Sequence, residues 1–178
     1  MAKVTWNVDP SHSTIGFSVK HMMFTTVRGH FKSFSAKVIA DPEDLTTAEI
    51  DFTVDVASID TRDENRDNHL RGADFFDVEK YPHMTFKATK TVKTGPNTYD
   101  MTGDLTIRDV TKPVTFHVTY EGMGKNPWGQ EVAGFTAQTK INRKDFGLTW
   151  NAALETGGVL VSDEVKIELE IQASKAAE

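Results

Sequence analysis

The side chains able to do chemistry in this chain are histidines, arginines, carboxylates and hydroxyls, because its 178 residues include no cysteine. That absence removes thiolate metal sites, iron–sulfur clusters, disulfides and cysteine nucleophiles together. The candidates among the remaining groups lie in four places: His12 beside Ser13, His21, the run 60–69 that holds Asp60, Arg66, Asp67 and His69, and Arg143 near Asp145. A guanidinium presents a planar fork of donors that suits a diphosphate or a quinone carbonyl. Arg66 and Arg143, with His12, Ser13, His21 and His69, are therefore candidates for holding a polar head group. The same charges could instead fasten loops by pairing locally, Arg66 with Asp67 and Arg143 with Asp145. His12, His21 and His69 would be enough for a metal ion, but their separation lacks the close pairing on a strand or helix that makes such a site specific, so no metal and no other cofactor is expected. No GxSxG, HExxH or GxxxxGK motif occurs. Asp51 and Asp55 share a strand face, yet they alternate with Ile50, Phe52 and Val54 and read as solvated positions rather than an acid and a base. The chemistry points to binding rather than catalysis; the alternative is an enzyme acting on a small amphiphile through His12, His69 or Asp60.

Composition narrows what such groups could meet. The chain is 38% hydrophobic, enough for one sizeable core, so residues 1–178 read as a single domain. Its 20 Lys and Arg against 26 Asp and Glu leave a net charge of −6, the wrong sign for a protein whose affinity comes from neutralising nucleic-acid phosphates. The first ten residues lack the apolar stretch of roughly 7 to 15 that an export signal needs, and no apolar run reaches the roughly 18 positions of a spanning helix. The expectation is a cytoplasmic protein with no stable membrane insertion.

The elements that must position these groups are strands. Apolar residues alternate with polar ones through Val4, Trp6, Val8; Ile15, Phe17, Val19; Ile50, Phe52, Val54, Val56; and Met84, Phe86, Ala88. The pattern continues through Tyr99, Met101, Gly103, Leu105, Ile107; Val114, Phe116, Val118, Tyr120; Ala133, Phe135, Ala137, Thr139, Ile141; and Val165, Ile167, Leu169, Ile171. Between Val27, Gly29, Phe31 and Phe34, Ala36, Val38 the phase slips near Lys32 and Ser33, which predicts a bulge in one bent strand. Turns are expected at Asp41-Pro42, at 95–97, at 110–113 and at Asn126-Pro127. Thr61 followed by Glu64 is a capping box that predicts a short polar helix over 62–71 ended by Gly72, and residues from 174 onward are expected to fray. Phe75 and Phe76 then form either a lid over an opening or a satellite cluster sealing the core. Several strands span about 9 to 11 residues, longer than is usual, which favours an eight-stranded closed barrel over a sandwich. In it Gly103, Ala88 and Ala137 fall on inward phases and would leave room.

The chain resembles the YceI-like family of polyisoprenoid-binding, lipocalin-like proteins over nearly its whole length. The resemblance rests on Trp6-Asn7-Val8-Asp9-Pro10-Ser11-His12-Ser13 leading into Phe17-Ser18-Val19-Lys20-His21, then on Ser58-Ile59-Asp60-Thr61, Arg66-Asp67-Asn68-His69-Leu70, Asp74-Phe75-Phe76-Asp77 and Tyr81-Pro82. It continues through Gly103-Asp104-Leu105-Thr106-Ile107-Arg108-Asp109-Val110-Thr111-Lys112-Pro113-Val114 and Ile141-Asn142-Arg143-Lys144-Asp145-Phe146-Gly147. It implies an all-β, eight-stranded antiparallel lipocalin-like barrel with a short helix near one end. An amphiphilic isoprenoid lipid, an isoprenoid quinone or polyprenyl compound, would be threaded into an apolar pore and so carried or sequestered, and a homodimer is implied. The wall would come from Phe17, Val19, Phe31, Phe52, Val54, Phe75, Phe76, Phe86, Met101, Gly103, Leu105, Ile107, Phe116, Phe135 and Ile141.

Overall fold

The computed structural model describes residues 3–151 and 160–176. Its strands are β1 (Val4–Val8), β2 (Thr14–His21), β3 (Thr25–Phe31), β4 (Phe34–Asp41), β5 (Asp44–Asp55), β6 (Ile59–Asp60), β7 (His83–Lys93), β8 (Thr98–Ile107), β9 (Val110–Lys125), β10 (Glu131–Asn142) and β11 (Glu164–Lys175), with one α-helix, α1 (Glu64–Arg71). Every pairing is antiparallel; besides neighbours in the chain, β1 pairs with β4, β3 with β6 and β5 with β7, and β11 returns to pair with β1 and β2 and closes the sheet.

Eleven strand segments make eight staves. β1 and β2 lie end to end along β11, with Val8 opposite Ala173 and Thr14 opposite Glu170, and a 3-10 turn at Pro10–His12 separates them. β3 and β4 lie end to end against that stave, Phe31 opposite Ile15 and Val38 opposite Trp6. Closure leaves no long unpaired edge and gives the period-two pattern its meaning: one face is inside all the way round.

The phase slip at Lys32 and Ser33 is not a one-residue bulge but a corner turned by two staves together. Opposite it β5 gives way to a 3-10 turn at Val56–Ser58 before β6 resumes pairing with β3. The Ser33 N–H donates to Ser58 Oγ (3.0 Å) and the Asp55 N–H to Ser33 O (3.0 Å), which ties the two sides of the bend together. Val56 and Ile59, each 1% exposed, pin the corner into the core.

The helix starts later than its capping box predicts. Asp63, not Thr61, is the N-cap and accepts the Arg66 N–H at 3.1 Å, while Gly72 ends the helix as expected. Thr61 is drawn inside, where its N–H donates to the buried Asp67 carboxylate at 2.9 Å and its hydroxyl to the same oxygen. Burying a carboxylate requires such donors, and that need outweighs the local capping signal. Arg66 accordingly bonds Thr61, through Nε to its hydroxyl and Nη2 to its carbonyl (2.8 Å each), and not Asp67.

One further turn and the C-terminal tail differ from expectation. Ile107 pairs with Val110, so the β8–β9 turn is Arg108-Asp109, with Arg108 in the left-handed region at φ 58°, and 110–113 already belong to β9. Pro113 is tolerated in a strand because β10 pairs with β9 only from His117 onward, leaving its N-side without a ladder bond to miss. At the other end Ser174 and Lys175 remain in β11 and the Ala176 N–H bonds Thr5 O (2.9 Å), so the chain is held in the sheet through 176.

Candidate functional site

The inward face does not fill the barrel. A cavity of about 570 Å³ runs along its axis, within the ~300 to 1,000 Å³ of small-molecule sites. Among the expected wall residues, Phe17, Val19, Phe31, Phe52, Val54, Phe75, Phe76, Phe86, Met101, Leu105, Ile107, Phe116, Phe135 and Ile141 line it. Gly103 does not. A Cβ built there would lie 2.5 Å from the Lys87 carbonyl and 2.5 Å from Phe86 Cζ, so the missing side chain seats the Phe86 ring rather than opening space. Ala88, paired with Gly103, is likewise absent from the lining, whereas Ala137 is part of it.

One end is sealed by Trp6, Ala40, Ala133 and Ala173, all buried. The other carries most of the polar lining: His21, Thr61, Asn65, Arg66, His69 and Arg143. Asn65 and His69 are at once exposed and cavity-lining, which marks the mouth as lying beside α1. His69 stands edge-on to Trp150 (centroids 4.8 Å) and Phe75 (5.1 Å), and its Nε2 lies 2.9 Å from Asp74 Oδ2. Phe75 and Phe76 both line the cavity. Phe75 is buried against Leu105, Ile107, Phe146 and Leu148 while facing the cavity, and the N–H groups of Phe75 and Phe76 bond Gly72 O and Leu70 O.

Arg143 is the most constrained of the head-group candidates. The 3-10 turn Arg143–Phe146, capped by Asn142 and ended by Gly147 at φ 80°, swings it under the loop that follows. The residue is only 3% exposed, and its side chain donates to the carbonyls of Ser162 (2.9 Å), Leu148 (2.6 Å), Trp150 (2.9 Å) and Val161 (3.3 Å). Burial pushes the guanidinium below its ordinary pKa, and Asp163, 3.9 Å away, works in the opposite direction. Arg143 therefore fastens the loop, with Asp163 and not Asp145 as its carboxylate. Arg66 differs: its Nη1 has no partner among the described residues.

His12 and Ser13 stand away from the lining. His12 Nδ1 contacts Asp9 Oδ2 at 2.8 Å, and Ser13 Oγ accepts the Gln172 N–H at 3.0 Å, so both serve the break between β1 and β2. Asp60 is also outside, paired with Lys32 at 3.1 Å, and its carboxyl is held below the usual range by the Arg62 N–H and then by Lys32. The three histidines do not converge. Val27, Val38, Tyr99, Val118 and Ile167 also line the cavity and were legible as inward phases, whereas Trp150, Leu160 and Val161 lie in a loop that has no period to betray them.

The fold and the cavity define a closed eight-stranded antiparallel barrel built round an apolar chamber. The chain belongs to the YceI-like family, whose sequence pattern matches residues 6–173. A UPF0312 protein of Staphylococcus epidermidis is 44% identical over 170 residues, covering 95% of this chain and 96% of the relative. Among solved structures, Burkholderia cenocepacia BcnA superposes with a TM-score of 0.82 at 31% identity, covering 93% of this chain and 99% of its own. A polyisoprenoid binding domain from Saccharophagus degradans superposes at 0.70 with 14% identity, covering 97% and 99%, a likeness of fold.

Proposed function

We propose that this protein binds one amphiphilic isoprenoid lipid, an isoprenoid quinone or polyprenyl compound, with its tail in the chamber and its head at the mouth beside α1, and so carries or sequesters it. The observation that carries this reading is the distribution of the lining: apolar along the barrel, polar at one end. A prenyl tail has no hydrogen bonds to offer, so a continuous apolar wall suits it. At about 0.8 kcal/mol per buried CH₂, each five-carbon unit is worth up to roughly 4 kcal/mol, and the tail dominates affinity. The Saccharophagus polyisoprenoid binding domain, which shares the fold, agrees with this ligand class. At the mouth His21 and Arg66 are the head-group contacts, because neither is consumed by the fold as Arg143 is.

Organic extraction of the purified protein followed by mass spectrometry tests the reading. An isoprenoid or other long-chain lipid is expected in the extract. A clean extract together with no uptake of added quinone or polyprenyl diphosphate ends the proposal. A binding role without catalysis, a cytoplasmic location and a homodimer belong to the same reading. Cell fractionation reads the location, and sedimentation equilibrium showing only monomer at micromolar concentration would remove the dimer.

A further inference from the structure

The hairpin between β2 and β3 ends in Met22, Met23 and Phe24, which are 39%, 56% and 79% exposed. Met22 and Met23 both take left-handed φ values, 52° and 65°. Two such positions in a tight hairpin ordinarily select Asn and Gly, so large apolar side chains there are not explained by the turn itself. The tip flanks the mouth: the Met22 N–H bonds the carbonyl of Leu160 (2.8 Å), and Leu160 and His21 both line the chamber. Outward positions beside the tip are basic. Lys140, Lys166, Ser18 and Arg28 stand in one cross-strand row, and Lys20 lies two residues nearer the tip. None of these four cations has a carboxylate within ion-pairing distance among the described residues, in a chain of net charge −6. Glu164, Glu168 and Glu170 are the acidic members of the same β11 face, the last two running from Lys166 away from the tip.

We infer that the Met22–Met23–Phe24 tip docks the mouth of the barrel on an anionic lipid bilayer surface, the three apolar side chains entering the headgroup–acyl boundary while Lys20, Arg28, Lys140 and Lys166 face anionic head groups. Apolar side chains flanked by cations are what an interfacial anchor requires, since area burial and attraction to anionic lipid add. A protein partner fits less well. Three side chains offer at most a few hundred Å², against the ~800 Å² per partner of a stable interface. Docked in this way, the mouth faces the acyl region and a prenyl tail passes into the chamber without crossing water. That use rests on the lipid-binding reading, while the docking itself does not.

The test is co-sedimentation of the whole protein with phosphatidylcholine vesicles, with and without phosphatidylglycerol, at low and high salt. Wild type should bind the phosphatidylglycerol vesicles at least tenfold more tightly than neutral ones, and less at high salt. Met23→Ser with Phe24→Ser should lose at least tenfold with an unchanged melt, as these side chains are outside the core. Lys166→Glu with Arg28→Glu should lose the preference for the anionic lipid. Trp128→Ser, which removes an aromatic residue 82% exposed in the β9–β10 loop at the sealed end, should change nothing. In Phe24→Trp the added emission should be quenched by brominated acyl chains. Absence of wild-type binding, equal binding by the double serine variant, an equal loss in Trp128→Ser, or a loss of self-association in place of vesicle binding would each overturn the proposal. Vesicle binding by a protein whose extract holds no lipid and which takes up no added quinone or polyprenyl diphosphate would refute the chamber reading and leave docking intact.

Discussion

Arg143 shows how a residue type chosen for recognition can be absorbed by the fold. Its charge is buried, and four backbone carbonyls take its donors. Replacing it by leucine strands those acceptors, each worth about 1 to 3 kcal/mol if it stays unsatisfied. Arg143→Leu should therefore destabilise by at least about 3 kcal/mol, a fall of roughly 6 to 12 °C in a thermal melt. Lysine should not restore it, since one ammonium cannot reach a fork of acceptors. Arg66→Leu should instead lower head-group discrimination in lipid-binding assays. Asp9 gives a pH signature. The Ser11 hydroxyl, then His12, hold its carboxyl down from 3.8 to about 2. A carboxyl depressed in the folded state contributes its full stabilisation above the unfolded value of 3.8 and loses it as pH falls towards 2. Asp9→Asn should flatten that acid limb of the melting curve, and an NMR titration of Asp9 reads the depressed pKa directly.

Among the elements, β8 carries the sharpest correction. Gly103 has the inward phase that alternation assigns it, but occupancy of the interior depends on a neighbour: the Phe86 ring of β7 lies across it. Gly103→Ala should cost about 1 to 3 kcal/mol by overpacking, because one of the contacts is a backbone carbonyl that cannot rotate away. A melt of Gly103→Ala equal to wild type would show that the ring does not sit there. The corner between β3 and β4 teaches the same lesson in the backbone. The slip at Lys32 and Ser33 is visible along one chain segment, while the answering break at Val56–Ser58 belongs to a strand paired with it in space.

For the whole molecule the question is whether the interior is a chamber or a core that closes in solution. Ala137 lines the cavity midway along β10, between Val118 and Leu169 on its neighbours. Ala137→Trp should melt close to wild type when both are delipidated, and should retain less or shorter lipid. A destabilisation of about 1 to 3 kcal/mol in the delipidated protein, with the lipid load unchanged, would mean that the space is already filled.

Alternation alone determined that the chain forms long antiparallel strands with one apolar face, and the length of those strands favoured closure over a sandwich; most of the wall follows from period, and the short helix from its capping signal. The polar residues could not be assigned this way. Whether an arginine meets a ligand or a carbonyl, and whether a glycine opens space or seats a ring, depends on groups far apart in sequence: Arg143 with 148–162, Gly103 with Phe86, Asp67 with Thr61. Sequence period encodes which face a side chain takes, because pleating is local. What stands opposite it is set by closure of the barrel, and only the tertiary structure decided that His12 and Ser13 serve a strand break while His21, Arg66 and His69 meet at the mouth.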